Sequence, residues 1–240
     1  MSPIDLNSDV GEGYGAWPGG PDVELLPLLT SVNVACGAHA GDPLTMRRTC
    51  ELAQRHGCAI GAQVSYPDLV GFGRRFMDMQ PADLEATVLY QLGALDAFAR
   101  VAGTSVRYVK PHGALYNAIV THEAQAQAVV AAVRAYDPTL PILGLPGSAV
   151  ETACRASGVQ FVREGFADRS YTAEGTLVPR TQPGALILEP SLAAAQAVQL
   201  AGDDVQSICV HSDTPGAPAL LSAVAGALAA AGYIVQPFVR

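Results

Sequence analysis

Lys110 and His112 stand two residues apart in Lys110-Pro111-His112-Gly113-Ala114-Leu115-Tyr116-Asn117, directly after the apolar run 106–109. Residues two apart on a strand share a face. A desolvated lysine there can neutralise phosphate or developing oxyanion charge, and a cation beside the imidazole helps keep His112 neutral and basic. A buried lysine without a partner is costly. A structural role would therefore need a carboxylate, and Asp9, Glu12, Glu164 and Asp213 are the candidates.

Four further sets have the same placement, where an apolar run stops. In Asp5-Leu6-Asn7-Ser8-Asp9-Val10-Gly11-Glu12-Gly13, Asn7 and Asp9 are read on one face of a strand end with Asp5 alternating, and Gly11, Gly13 and Gly15 allow a tight turn or close ligand approach. An Asx-type turn capped by its own side chains would use the same residues. No Gly-Lys-Ser/Thr follows, so this is not a P-loop. In the stretch 33–43, Asn33 and His39 precede Asp42; His39 suits a metal ligand, a general base or a hydrogen-bond donor, while Asp42 is first of all a helix N-cap. Glu164, Asp168 and Arg169 open one long loop, and Arg74 and Arg75 lie in another. With Arg180, these arginines could hold an anionic substrate by two-point hydrogen bonding, or could form surface ion pairs. His211 and Asp213 end the last central run. His39, His112 and His211 with nearby acids could bind a divalent metal, yet no H-x-x-x-H or H-x-E spacing supports it.

Groups so distant in the chain meet only if a sheet gathers the ends of these runs. Apolar runs at 4–6, 32–36, 59–64, 106–109, 142–145, 160–162 and 207–210 alternate with helix-period segments at 22–29, 43–56, 81–102, 122–136, 148–157, 191–201 and 218–231. The alternation predicts a mainly parallel sheet, with a last run, 233–238, closing or bracing its N-terminal edge. Asp42-Pro43 and Gln80-Pro81 are helix starts, while Gly57, Gly103, Gly158 and Gly232 sit where helices should stop. Two connections, 65–79 and 166–183, are longer than a barrel needs, and long loops in compact domains are usually functional or mobile. Active sites of α/β barrels are built at strand carboxyl ends. One pocket in a single α/β barrel domain spanning 1–240, belonging to an enzyme, is therefore the expectation.

The chain of 240 residues, half of them hydrophobic, can bury one barrel-sized core. A net charge of −8 and a pI near 5.0 argue against nucleic acid or an anionic membrane surface as partner. No apolar stretch reaches the ~18 residues that span a bilayer, and the first residues lack the basic and apolar regions of a signal peptide. Five cysteines without a C-x-x-C pair fit buried thiols in a cytoplasmic protein.

Together these stretches resemble the LamB/YcsF family, whose pattern includes D-L-N-x-D-x-G-E, N-[IV]-A-C-G-x-H-A-G-D, K-P-H-G-A-L-Y-N, E-x-F-A-D-R-x-Y and H-G-D. They stand here, in order, at 5–12, 33–42, 110–117, 164–171 and 211–213. The family often has histidine where this chain has Gln63, and glycine where it has Ser212. No acid–base chemistry is therefore expected at position 63, and Ser212 is expected only to tighten a turn.

The resemblance implies a distorted, seven-stranded, TIM-like barrel of the glycoside hydrolase/deacetylase kind. It also implies ATP-dependent opening of 5-oxo-L-proline to L-glutamate, in a complex with two further subunits, B and C. ATP would arrive with Mg2+, and no tightly held protein metal is expected. Lys110 is then the phosphate or oxyanion partner and His112 the general acid–base, with Asp9 and Glu12 as a second base or a site for ATP-borne magnesium. Asn7, Asn33, His39, Asp42, Arg74, Asn117, Glu164, Asp168, Arg169, His211 and Asp213 would surround substrate and nucleotide. The lactam is a resonance-stabilised amide, whose rotational barrier of ~18–20 kcal/mol reflects the donation that makes its carbonyl a poor electrophile. Phosphorylation of the lactam oxygen would weaken that donation and let water attack with a base's help. Two other readings remain: a metal-dependent, deacetylase-like hydrolase of carbohydrate amides or esters, and a non-catalytic binding subunit.

Overall fold

The seven apolar runs become seven parallel strands that close on themselves. In the computed structural model, which describes residues 2–239, these are β1 (Pro3–Val10), β2 (Ser31–Ala35), β3 (Ala59–Val64), β4 (Val106–Pro111), β5 (Ile142–Gly144), β6 (Phe161–Phe166) and β7 (Ser207–Cys209). Each pairs with the next in chain order, and β7 pairs back onto β1 through Asp5↔Ser207, Leu6↔Ile208 and Asn7↔Cys209. The expected seven-stranded α/β barrel is the fold. A last strand, β8 (Ile234–Val235), lies beside Pro3 and Ile4, and Phe238 beyond it packs edge-on to Tyr108 at 4.9 Å. The C-terminal run thus braces the N-terminal end of the barrel.

Helices α1 (Asp22–Leu25), α2 (Pro43–His56), α3 (Pro81–Val101), α4 (Gly113–Ala118), α5 (Glu123–Tyr136), α6 (Ala149–Ser157), α7 (Pro190–Gly202) and α8 (Ala217–Ala230) connect the strands. Outward-facing Leu6, Val10, Val32, Val34, Ile60, Val64, Val109, Ile142 and Ile208 join helix residues such as Leu92, Val129 and Leu221 in one apolar core. The helix expected over 22–29 is broken: α1 stops at Leu25 and passes into a 3-10 turn, Leu26–Leu28. Pro27 lacks the N–H and its ring crowds the preceding turn. Helix α4, immediately after His112, is an element the apolar pattern does not signal.

Three strands run further than their apolar stretches. β1 continues to Val10, β4 to Pro111 and β6 to Phe166, so Asn7, Asp9, Lys110 and Glu164 lie within strands rather than after them. Asp5 does not alternate with Asn7 and Asp9, because odd positions of β1 share one face and that face is the barrel interior. The interior is polar enough to accept them. Opposite, the register of β3 against β4 slips between Ile60↔Val106 and Gly61↔Tyr108. The bulge turns Tyr108 inward, and a Cβ at Gly61 would fall within its ring.

Candidate active site

The barrel interior holds a continuous polar column. At its base Asp5 accepts from the hydroxyls of Thr30 and Ser31, each at 2.6 Å, and from Ser207. Burial pushes the Asp5 carboxyl up to about 6 despite those donors. Asn7 donates to Ser207 Oγ (2.8 Å) and Glu164 Oε1 (3.0 Å), while Asn33 donates to Asn7 Oδ1 (2.8 Å) and Asp9 Oδ1 (2.9 Å). Tyr108 completes this layer by donating to Asn33 Oδ1 at 2.7 Å. Asn7 and Asn33 are therefore spacers that orient the charged groups above them.

Lys110 is that layer's centre. Its Nζ lies 2.7 Å from Glu164 Oε1 and 3.5 Å from Asp9 Oδ1, donates to Asn7 Oδ1 at 3.2 Å, and sits 5.1 Å from the Phe166 ring centre. Burial alone would lower its pKa, but Asp9, Cys209 and Glu164 outweigh burial and hold it well above the usual lysine range. Burial likewise pushes Asp9 up, and Lys110 and His112 more than reverse it, so Asp9 is ionised well below the usual range. Tyr116 donates to the other Glu164 oxygen at 2.8 Å.

Gln63 organises the second cluster. Its amide accepts from His39 Nε2 (3.2 Å) and donates to Glu12 Oε1 (2.9 Å) and His112 Nδ1 (3.0 Å). His112 Nε2 in turn donates to Phe72 O at 3.1 Å. These bonds put a proton on Nε2 of both rings, and the lone pair that Gln63 needs on Nδ1 makes His112 the neutral tautomer. The pKa directions agree: burial pulls His39 and His112 below the ordinary imidazole value. Burial, with Asp9's charge behind it, pushes Glu12 up to about 8. The two imidazoles stack 4.2 Å apart, and the Phe72 ring meets both edge-on. Phe72 holds a left-handed backbone, φ 54°, a strain of roughly 1–3 kcal/mol that places its carbonyl on His112. Glycine is needed beside it, since a Cβ on Gly73 (φ 65°) would strike Ser65 Oγ and one on Gly113 (φ 61°) would lie 2.5 Å from Gly73 O.

Over the carboxyl ends of the strands is a cavity of about 740 Å3. The expected site residues Asp9, Arg74, Lys110, His112, Asn117, Arg169 and His211 line it, joined by Tyr116, Phe166 and Arg180. Loop 166–189 forms one wall as a flap with its own pairings, Arg169↔Leu186 and Tyr171↔Leu177. Arg169 serves the flap, donating to Val178 O (2.6 Å) and Ala185 O (3.2 Å). His211 Nδ1 faces Asp168 at 3.0 Å, which also accepts from Thr214 Oγ1 at 2.5 Å, and its ring stacks on Phe166 at 5.0 Å. Burial raises the Asp168 carboxyl, but His211 and Thr214 outweigh it and hold it below the usual range.

Several expected site residues stand elsewhere. Asp42 is taken up as the α2 N-cap, accepting from Leu44 N and Thr45 N, with Gly15 N as a further donor. Glu12 and His39 lie off the cavity wall and are linked to it through Gln63 and His112, with the Phe72 ring set against His39 and Ser212 against Glu12. Glu164 and Asp168 are likewise buried as partners of Lys110 and His211, and Asp213 supports two arginines from outside the wall. Asn117 reaches the cavity but turns its amide back onto Gly113 O at 2.9 Å. Gln63, set aside in the sequence as non-titrating, is the hub of the histidine cluster; only its position two residues from Gly61 and Ser65 on an inward-facing parity signalled it. Ser212 also does more than tighten a turn, donating to Glu12 Oε2 at 3.3 Å. The three histidines do not converge: His211 pairs with Asp168, while Glu12, His39 and His112 offer ligand atoms within 4.8 Å of one another. Those three could hold a cation, but the Gln63 amide already bonds to each.

The whole chain has relatives. A protein from Streptomyces avermitilis called the A subunit of 5-oxoprolinase is 53% identical, covering 98% of this chain and 99% of its own. The crystal structure of a lactam utilization protein from Thermus thermophilus superposes with a TM-score of 0.93 at 41% identity, covering 98% of this chain and all of that one. A polysaccharide deacetylase from Bacillus cereus shares the fold, with a TM-score of 0.51 at 14% identity over 99% of this chain and 92% of its own. The LamB/YcsF family model matches residues 4–240, and the chain belongs to that family.

Proposed function

We propose that this chain is the A subunit of an ATP-dependent 5-oxoprolinase, opening 5-oxo-L-proline to L-glutamate as ATP becomes ADP and phosphate. In this reading it works in the cytoplasm with two further subunits, B and C. The observation that carries the proposal is the buried Lys110 cation at the cavity wall, flanked by Asp9 and Glu164 and adjacent to neutral His112. Relatives about half identical over their full length, each called the A subunit of 5-oxoprolinase, supply the substrate.

A lactam carbonyl needs charge taken from its oxygen and a proton placed on its nitrogen. Lys110 brings a positive charge to the cavity wall, with Asp9 and Glu164 beside it as counter-ions, and a fixed donor there would act on charge developing at the lactam oxygen. His112 is neutral and within the wall; its one lone pair, on Nδ1, faces the Gln63 amide, and exchanging that bond for one to water would let it accept a proton from the attacking water and pass it to the leaving nitrogen. ATP would supply the phosphoryl group that activates the lactam oxygen. Asp9 is the one carboxylate lining the cavity among the described residues. Magnesium usually binds through one or two carboxylates plus substrate phosphates, and Asp9 is where ATP-borne Mg2+ would be held.

The test is ATP-coupled turnover of 5-oxo-L-proline by this chain alone, by its partner subunits alone, and by all together. Activity is expected only from the assembled set, and Lys110→Met and His112→Ala should each lower it at least about 100-fold. Turnover within a few-fold of the parent in both variants would refute the assignment.

A further inference from the structure

Beside the cavity, two guanidinium groups share one carboxylate oxygen. Arg74 Nη2 and Arg180 Nη1 donate to Asp213 Oδ2 at 2.5 and 3.1 Å. Arg74 comes from the loop after β3, Arg180 from the flap and Asp213 from the segment after β7, so three loops meet at this point. Two cations on one anion leave a positive charge, and the arginines line the cavity while Asp213 does not. Arg180 Nη2 is buried with no hydrogen-bond partner. A desolvated, unpaired donor destabilises the free protein, and it gains most from a ligand that brings an acceptor. Arg169, the third arginine lining the cavity, is already engaged with two flap carbonyls.

The wall nearest the barrel axis has the opposite balance, with Lys110 set between two carboxylates. A ligand with an anionic group at one end and an uncharged carbonyl at the other matches that gradient. We propose that Arg180, with Arg74 steadied by Asp213, is a carboxylate clamp that selects lactam acids over neutral lactams. This specificity role rests on the lactam-opening function proposed above. A nucleotide phosphate has the same recognition chemistry as a carboxylate, and the experiment separates the two.

Calorimetry on the full chain would compare binding of 5-oxo-L-proline with that of 2-pyrrolidinone, which has the same ring without the carboxylate. Arg180→Met should weaken binding of the acid by roughly 10- to 100-fold, as expected for a charge-assisted two-point contact, and leave the neutral ring unaffected. Arg180→Lys should recover part of the loss. In the assembled complex the Met variant should raise KM for 5-oxo-L-proline while kcat and KM for ATP stay within about twofold. Equal losses for both rings, or an effect confined to KM for ATP, would overturn the clamp. If the parent complex does not turn over 5-oxo-L-proline, the proposed function fails, yet the binding comparison still decides. A parent chain that binds acid and neutral lactams alike refutes the clamp without any variant.

Discussion

Glu12 offers a direct measurement of the electrostatics behind this site. Burial first, and then the charges of Asp9 and Asp213, push its carboxyl from the ordinary 4.5 to about 8, with the Gln63 amide and Arg74 opposing. Between those values the unfolded chain ionises Glu12 while the folded chain keeps it protonated. The folded state then holds the extra proton, so this contribution to stability is intact below about 4.5, declines as pH rises, and is fully lost above about 8. At 1.36 kcal/mol for each tenfold change in proton affinity, the loss is on the order of 4–5 kcal/mol. Glu12→Gln keeps the shape and an oxygen to accept from Gln63 Nε2, but it cannot ionise. Urea unfolding of parent and variant between about pH 5 and 9 should show similar stability at the acidic end and a growing advantage for the variant toward the alkaline end. Asp9 and His112 titrate in both proteins, so their effects largely cancel in the difference. Parallel stability curves across that range would refute a buried, protonated Glu12.

Three other outcomes test neighbouring parts of the structure. Lys110→Met strands Asp9 and Glu164 without their cation and should cost about 3–5 kcal/mol at neutral pH, read by urea unfolding; an unchanged midpoint would mean the pair is not buried as described. Gln63→Glu places a carboxylate against His112 Nδ1, which favours the imidazolium, so the acidic limb of the turnover profile should move to higher pH; a limb that stays in place would remove His112 as the titrating base. Gly61→Ala drives a methyl into the Tyr108 ring and should cost about 1–3 kcal/mol, with thermal unfolding as the readout and Tyr108→Leu restoring part of the loss.

Hydrophobic patterning located the barrel because most of the outward-facing strand residues are apolar and pack under helices. It located strand ends less well for a single physical reason. The rule that a parallel strand is apolar throughout assumes an oily interior, and this barrel fills its interior with Asn7, Asp9, Asn33, Lys110 and Glu164 bonded to one another, and with Asp5 joined to Asn7 through Ser207. Every second residue of β1 is therefore polar, and the apolar run 4–6 marks less than half of Pro3–Val10. That Lys110 and His112 reach the same cavity was legible from parity. The division of the arginines was not, because whether Arg169 or Arg180 meets a ligand depends on how the flap folds back through Arg169↔Leu186.

Gln63 shows why a residue's titrating chemistry is a poor guide to its place in a site. A histidine there could donate or accept at two ring nitrogens and would add a titrating group to a cluster that already stacks two imidazoles. An amide instead has one accepting and two donating positions, and all three are used: it accepts from His39 and donates to Glu12 and His112. Donation to His112 Nδ1 requires a lone pair there, so the amide selects the neutral ring with its proton on Nε2, the form that Phe72 O also favours. Donation to Glu12 uses the carbonyl-type oxygen of the acid and permits the protonated state that burial imposes. An uncharged, non-titrating side chain thereby fixes the tautomer of His112 and ties it to Glu12 and His39, whose protonation burial governs. The orientation and tautomer of His112 at the cavity wall follow from position 63 even though no proton is gained or lost on it.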